Sequence, residues 1–221
     1  LRRRAREFID GLRHRRAGSS VAFASKSFPC TAIYRVMAEE GLHIDVAGAG
    51  ELITALKAEV PASQIVLHGN AKTDHELGLA VDSGVGTVVI DGWDDIARLE
   101  HIPGPRQPVL LRVIPGVDAP TMAAISTGHH GSKFGLPLEE ARRAIAHMQS
   151  SSRFDVRGIH LHIGSQILTV DAFAEAVAAV AGLGLAALSL FVTGLAGCGE
   201  SASGSPRAQG RRPLVLLAPT V

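Results

Sequence analysis

The chain has 221 residues, of which 46% are hydrophobic and 4% aromatic, and its formal net charge is +1. A chain of this length fits one domain that is large enough to bury a core. The near-neutral charge and the scarcity of aromatic residues argue against a nucleic-acid partner and against binding to an anionic membrane surface.

Arginine dominates the start of the chain, since Leu1 to Arg16 holds seven arginines. Apolar residues recur there at helical spacing, at Ala5, Phe8, Ile9 and Leu12. We predict a basic amphipathic helix over residues 1–20 that leads into the domain. An arginine-rich targeting peptide is the alternative, although two acidic residues interrupt the positive charge. Because the first residue is Leu rather than Met, we expect the natural start to lie upstream.

From residue 21 onward, short apolar runs alternate with amphipathic segments. The predicted strands are 21–25, 43–47, 64–68, 86–90, 108–114 and 156–163. The predicted helices are 30–40, 50–58, 73–81, 93–100, 138–149 and 171–181. Gly41 is expected to end the first of these helices, and Thr73 with Glu76 forms a capping box at the start of the third.

This alternation, at about 20 to 25 residues per unit, implies right-handed crossovers and a parallel sheet. No GxGxxG motif follows the first strand, which favours a barrel over a dinucleotide-binding fold. We therefore predict an α/β fold, a (β/α)8 TIM barrel of which about six of the eight units are present.

In such barrels functional side chains lie at the carboxyl ends of the strands. The positions that this rule selects are Lys26, Asp45, His68–Asn70, Asp91, Arg112 and His162–Ser165. A lysine that loses solvation in a barrel opening becomes a nucleophile and can form a Schiff base with an aldehyde. The simpler alternative is that Lys26 leaves its strand into solvent.

His160 and His162 are two residues apart on one strand and therefore face the same side. They could bind a metal, stack on a flat ring, or form a hydrogen-bonded pair in the core. A metal site, as in a metal-dependent hydrolase, needs a third and a fourth ligand, for which His129 and His130 are candidates. Gly164–Ser165 could approach a phosphate, although tight turns use the same pair.

Five short motifs follow one another between about residues 21 and 183. They are Phe23–Phe28, Leu42–Val46 with Gly50–Leu52, Leu67–Lys72, Ser132–Leu136 and His160–Gln166. Together they resemble the family of pyridoxal-phosphate enzymes that holds the ornithine, arginine and diaminopimelate decarboxylases and is related to alanine racemase. The forms of the motifs at His68 and at His160 are most similar to the diaminopimelate branch.

The resemblance implies a barrel of the alanine racemase type followed by a β-sandwich domain, working as a homodimer. It implies pyridoxal 5'-phosphate as the cofactor, Lys26 as its Schiff-base lysine and His162 stacked on its ring. It places the remaining cofactor-binding residues at Gly164, Ser165, His68, Asp45 and Arg112. The implied reaction converts meso-2,6-diaminopimelate, a small amino acid, to L-lysine and carbon dioxide, the last step of lysine biosynthesis.

A cytoplasmic location without a membrane partner fits the two widely spaced cysteines, Cys30 and Cys198. It also fits the absence of an apolar run of about 20 residues, the length that a membrane-spanning helix needs. Three alternatives stay open beside diaminopimelate decarboxylation. They are an ornithine- or arginine-type decarboxylase, a non-catalytic fragment that binds the cofactor or misfolds, and the metal-dependent hydrolase.

The chain departs from the family after Leu183. The family continues with a Gly-Gly-Gly phosphate loop and a Glu-Pro-Gly-Arg motif, and Gly194–Gly199 matches neither, so Cys198 is not equated with the family's catalytic cysteine. Residues 184–221 are rich in Gly, Ser, Pro and Arg, and we predict a disordered tail. We hypothesise that the reading frame is lost near Leu183, which sequencing of the locus would test, and we expect little activity from the chain alone.

Overall fold

Strands and helices alternate through a computed structural model that describes residues 1–15, 19–116, 134–164, 171–181, 183 and 189–193. The strands are β1 (Ala22–Ala24), β2 (His43–Val46), β3 (Ile65–Leu67), β4 (Thr87–Ile90), β5 (Gln107–Ile114), β6 (Leu136–Pro137), β7 (Phe154–His162) and β8 (Ser189–Thr193). The helices are α1 (Arg2–Arg15), α2 (Thr31–Glu39), α3 (Ala49–Lys57), α4 (Asp74–Asp82), α5 (Trp93–His101), α6 (Leu138–Ser150) and α7 (Asp171–Ala181).

All of these strands belong to one parallel sheet. Its order is β1-β2-β3-β4-β5-β7-β8, and the short β6 pairs with β5 beside this path. The register places Ala24 opposite Asp45 on β1 and β2, and Arg112 opposite His160 on β5 and β7. The predicted α/β alternation and parallel sheet are confirmed.

The sheet has two apolar faces of different size. Its larger face packs against the helices and includes Ile65 and Leu67 of β3. The other face carries a separate cluster without a helical residue, which we call the apolar layer: Ala22, Val66, Val89 and Leu110. Since side chains alternate along a strand, Val66 faces the side opposite to Ile65 and Leu67. The apolar layer therefore lines the inner face of the sheet.

The sheet is strongly curled. The ring of His68, which follows β3, lies 4.4 Å from the ring of His160 on β7, measured between centroids. Three strand spacings separate β3 from β7 in the sheet order, and in a flat sheet these would amount to roughly 14 Å. The two side chains meet because the sheet bends around its inner face, as the wall of a barrel does.

Local sequence signals explain where several helices begin and end. Thr73 caps α4, accepting from the backbone N–H of Glu76 at 3.2 Å, while Glu76 accepts from the backbone N–H of Thr73 at 2.9 Å. Gly41 follows α2 with φ +85°, a left-handed conformation that glycine adopts without strain. Both predicted signals are confirmed.

Within the segment predicted as a basic helix, residues 1–20, the structure forms α1 over Arg2–Arg15. It buries Ala5 and Ile9 against the domain. Its arginines pair with the end of α2, since Arg2 and Arg6 both contact the Glu40 carboxylate. Arg6 first, and then Arg2, holds the pKa of Glu40 at about 2. No helix in the described part of the chain is both long and apolar enough to cross a membrane.

The predicted disordered tail over residues 184–221 is wrong for residues 189–193, which form β8. Strand β8 pairs in parallel with β7, with Gly158 opposite Ser189 and His162 opposite Thr193. The strand order from β1 to β8, without the short β6, thus contains seven strands, whereas the sequence indicated six. A segment whose own sequence pattern is weak can still form a strand, because it pairs with a neighbouring strand of the sheet. The predicted disordered tail remains a prediction for residues 194–221, which lie outside the described ranges.

Candidate functional site

Lys26 lies in the 3-10 turn Ser25–Ser27 directly after β1. Its backbone is held in place because the Ser27 hydroxyl donates to the Ala24 carbonyl oxygen at 2.8 Å. The Lys26 side chain is exposed, which agrees with the simpler of the two alternatives, a lysine that leaves its strand into solvent. Among the described strands β1 pairs with β2 alone, so no described strand lies along its other edge.

A polar layer lies directly above the apolar layer on the inner face. Two residues after Val66, Val89 and Leu110 of the apolar layer come His68, Asp91 and Arg112. A step of two residues returns a side chain to the same face of a strand. His160 on β7 is the register partner of Arg112, and Asp45 on β2 approaches His68, with their side chains 3.4 Å apart. We define the polar layer by these five residues: Asp45, His68, Asp91, Arg112 and His160.

One half of the polar layer is an ion pair. The Arg112 guanidinium donates to Asp91 Oδ1 at 2.9 Å and lies over the ring of Phe134, 5.0 Å from its centroid. Burial lowers the pKa of Arg112 and the negative charge of Asp91 opposes that shift. A Cβ at Gly135 would lie 3.0 Å from Arg112 Cγ. Asp91 and Phe134 therefore hold the guanidinium, and the missing side chain of Gly135 leaves room for the Arg112 stem.

The other half consists of two imidazoles and a carboxylate. The rings of His68 and His160 meet edge to face at an angle of 67°. The His68 Nδ1 atom lies 3.4 Å from Asp45 Oδ1. His160 is completely buried, and burial first, then the positive charges around it, lowers its pKa well below the ordinary value. His160 is therefore a neutral imidazole at neutral pH. Its complete burial agrees with the alternative in which this histidine lies in the core.

His162 and Gly164 lie further along the same strand and beyond it. His162 ends β7, is partly buried, and by alternation follows His160 on the inner face. Gly164 is buried with φ +133°, a conformation that side chains rarely adopt, so the backbone there suits close approach by a ligand. Ser165, the predicted phosphate contact, lies outside the described residues.

A set of carboxylates that no sequence motif indicated links neighbouring loops. Glu51 of α3 accepts from the backbone N–H of Ala47 at 2.7 Å and from the hydroxyl of Ser25, one unit earlier. Glu76 of α4 accepts from the backbone N–H of Ala49 at 3.1 Å, again one unit earlier. We call these carboxylate clamps. Their sequence signal is an acidic residue in the first turn of the helix that follows a strand.

The arrangement fits a flat aldehyde cofactor such as pyridoxal phosphate. An accessible primary amine, Lys26, lies at the same end of the sheet as the imidazoles of His68 and His162. The buried Oδ1 atom of Asp45 makes no hydrogen bond within the described part, so it is available to a ligand donor. Within the described ranges, no group of three or more His, Cys, Asp or Glu side chains is placed so that it could hold a metal ion. His129 and His130 lie outside those ranges.

Comparison with known proteins gives consistent matches. The family described as "Pyridoxal-dependent decarboxylase, pyridoxal binding domain" matches residues 1–189. A diaminopimelate decarboxylase of Actinosynnema pretiosum is 40% identical over 185 residues, which are 83% of this chain and 41% of that protein. One of Staphylococcus aureus is 41% identical over 178 residues, 79% of this chain and 41% of that protein. The chain thus spans about two fifths of the length of these relatives.

Solved structures share the fold. The crystal structure of diaminopimelate decarboxylase from Helicobacter pylori complexed with L-lysine superposes with a TM-score of 0.83 at 23% identity, covering 99% of this chain and 61% of that one. The diaminopimelate decarboxylase of M. jannaschii gives a TM-score of 0.77 at 25% identity, covering 98% of this chain and 57% of that one. The predicted barrel of the alanine racemase type, incomplete in this chain, is confirmed.

Proposed function

This chain belongs to the pyridoxal-dependent decarboxylases as a pyridoxal-binding domain, and we propose that it supplies the Lys26 side of a site that converts meso-2,6-diaminopimelate to L-lysine and carbon dioxide. The observation that carries the proposal is the position of the exposed Lys26 amine at the end of the sheet where the polar layer lies. Relatives named for this activity, at about 40% identity, support the choice of reaction.

The residues have distinct proposed roles. The Lys26 amine holds the cofactor through its aldehyde carbon, and the His162 imidazole offers a flat face for its ring. Gly164 lets the backbone approach the phosphate, with Ser165 as a hydroxyl donor. Pyridoxal phosphate supplies the electron sink for the pair of electrons that remains when the carboxylate leaves as carbon dioxide.

We propose that the polar layer supports these cofactor-binding residues from the interior of the barrel. His160, held neutral by its burial, supports the His68 ring without bringing a charge beneath the cofactor. The Asp45 carboxylate lies on the other side of His68, 3.4 Å from its Nδ1 atom, and places a negative charge beside that ring. Arg112 is neutralised by Asp91, so its charge does not stabilise the substrate carboxylate that has to leave. We propose Asp45, His68 and Arg112 as residues that orient the cofactor side of the site.

Two further parts of the proposal come from the family resemblance and the named relatives. Diaminopimelate is proposed over ornithine and arginine because the matched relatives carry that name. A homodimer in the cytoplasm is proposed as the working assembly, and sedimentation velocity of the purified chain with and without pyridoxal phosphate would test the dimer.

The proposal is tested by adding pyridoxal phosphate to the purified chain and recording its absorbance spectrum. We expect a visible band that Lys26→Ala abolishes. Lys57→Ala, which removes another exposed lysine, is the matched control and should leave the band unchanged. If the band is absent, or survives Lys26→Ala, the cofactor site is not where we place it.

The substrate is tested on the same sample. Diaminopimelate, ornithine and arginine are titrated into the loaded chain, and the band is followed for each. The proposal predicts that diaminopimelate shifts the band at the lowest concentration. A response to ornithine or arginine at lower concentrations would leave the cofactor site in place and overturn the choice of substrate.

A further inference from the structure

Asp95 of α5 is a third carboxylate clamp, and it differs from the other two. It accepts from the Lys72 ammonium at 2.7 Å and from the backbone N–H of Asp91 at 2.9 Å. Like Glu51 and Glu76, it joins the loop of the preceding unit to the loop before its own helix. The donors from the preceding unit are neutral in the first two clamps, whereas the third uses a full ion pair.

This ion pair is buried. The side chains of Lys72 and Asp95 are 1% and 4% exposed. Removing two charges from water costs about as much as their attraction returns, so a buried pair is poor at stabilising a fold. The two neutral clamps show that the same link between loops is possible without that cost. The stability of the fold alone does not explain why charges are used here.

The pair holds both loops that supply the polar layer. Asp95 receives the backbone of Asp91, whose own carboxylate binds Arg112. Lys72 ends the loop that begins at His68, and its carbonyl oxygen accepts from Arg98 at 2.7 Å.

The loop between His68 and Lys72 has an unusual backbone. Gly69 has φ +95°, and a Cβ there would collide with the carbonyl oxygen of Ala47. Ala71, next to Lys72, has φ +53°, a left-handed conformation that is strained for a residue with a side chain. Such strain persists only where surrounding contacts impose it. The contacts of Lys72 with Asp95 and Arg98 lie directly after the strained residue.

We infer that Lys72 and Asp95 are positioning residues, which fix His68 and the Asp91–Arg112 pair in the arrangement that binds pyridoxal phosphate. The inference rests on the proposed function. The charge of Lys72 also acts at a distance, since it is among the positive charges that, after burial, lower the pKa of His160.

The test compares the wild type with Lys72→Met/Asp95→Leu, in which apolar side chains replace both charges. We expect its free energy of unfolding in urea to fall only by the cost of leaving the Asp91 N–H without its acceptor, because the buried ion pair itself contributes little net stability. We expect its affinity for pyridoxal phosphate, read from the Lys26-dependent band, to fall about 10- to 100-fold. Wild-type affinity in this variant would overturn the inference.

Gln107→Leu is the matched control. Gln107 is equally buried and donates from Nε2 to the Val85 carbonyl oxygen at 3.0 Å, at the start of β5 and therefore at the far end of the strand from the site. Its affinity for pyridoxal phosphate should equal that of the wild type. A loss as large as in the double variant would mean that any buried polar change has this effect, and would overturn the inference.

Single variants keep the test decisive if the double variant does not fold. Asp95→Asn retains an oxygen that accepts from Asp91 and Lys72, whereas Asp95→Ala does not. We expect the Asn variant to bind pyridoxal phosphate more tightly than the Ala variant, compared where both are folded. Equal affinities would contradict a positioning role.

A measurement without cofactor separates this inference from the proposed function. The ring proton shifts of His68 and His160, recorded by NMR on the cofactor-free chain, should change in Asp95→Ala and stay near the wild-type values in Asp95→Asn. If the wild type binds no pyridoxal phosphate but the rings respond in this way, the proposed function fails and the positioning role holds. Unchanged rings in Asp95→Ala overturn the positioning role.

Discussion

The apolar layer and the polar layer lie on the same strands, two residues apart, and have opposite chemistry. Val66, Val89 and Leu110 exclude water from the inner face. Two residues further along the chain in each case, the next side chains on the inner face are His68, Asp91 and Arg112. The first set stabilises the fold at every pH, whereas the second brings charge and titratable groups into the interior. Along each of these strands, the residue that stabilises the fold and the residue that belongs to the site are therefore only two positions apart.

The largest effect is expected in the polar layer, for Arg112→Met. This change leaves the Asp91 carboxylate without its partner in a mostly buried site, and breaking such a pair costs about 3–5 kcal/mol of unfolding free energy. Urea denaturation measures it. The double change Arg112→Met/Asp91→Leu should recover most of that stability and still bind pyridoxal phosphate weakly. A double variant that binds like the wild type would contradict the role of this pair in the site.

A comparable change in the apolar layer should affect stability alone. Leu110→Ala leaves a cavity on the inner face, and such truncations cost about 2–5 kcal/mol. Under conditions in which the variant is folded, its affinity for pyridoxal phosphate should match that of the wild type. A clear loss of affinity in the folded variant would show that the two layers do not divide the work as we describe.

A smaller effect is expected from pH. The pKa of His160 is well below its ordinary value because the ring is buried, while in the unfolded chain it titrates near 6.5. As the pH falls below that value the unfolded chain takes up a proton that the folded chain refuses, so stability falls. His160→Asn should reduce this slope by at most about 1.4 kcal/mol per pH unit.

Urea midpoints between pH 5 and 7 measure that slope. The pKa of His43 is also lowered by burial, so some dependence should remain in His160→Asn and decrease further in His43→Asn/His160→Asn. An identical slope in the wild type and in His160→Asn would show that the buried ring does not govern the pH response.

Most strands and helices follow from the sequence because their signals are local. The capping box at Thr73 and the left-handed glycine at Gly41 are decided by neighbouring residues, and both occur where predicted. The strands at Ser189–Thr193 and Leu136–Pro137 escaped prediction because pairing with β7 and β5 defines them. Their own residues carry no clear alternation.

For the site, the position of residues at strand ends could be predicted, and their contacts could not. The strand-end rule selected Asp91 and Arg112 separately, but their pairing at 2.9 Å depends on the register of β4 and β5. The contact of His68 with His160 depends on the curl of the sheet. No sequence motif indicates that Lys72 and Asp95 form an ion pair. Long-range geometry decides these contacts, and sequence spacing does not encode it.

The central claim, that Lys26 is the group that holds the cofactor, is tested most directly by chemical trapping. Borohydride fixes pyridoxal phosphate covalently to whichever amine has condensed with its aldehyde, and mass spectrometry of the digested chain then locates the added mass. The chain offers four lysines, at positions 26, 57, 72 and 133. We predict that the mass lies on Lys26. Equal labelling of the four, or a mass on another lysine while Lys26 stays free, would contradict the account.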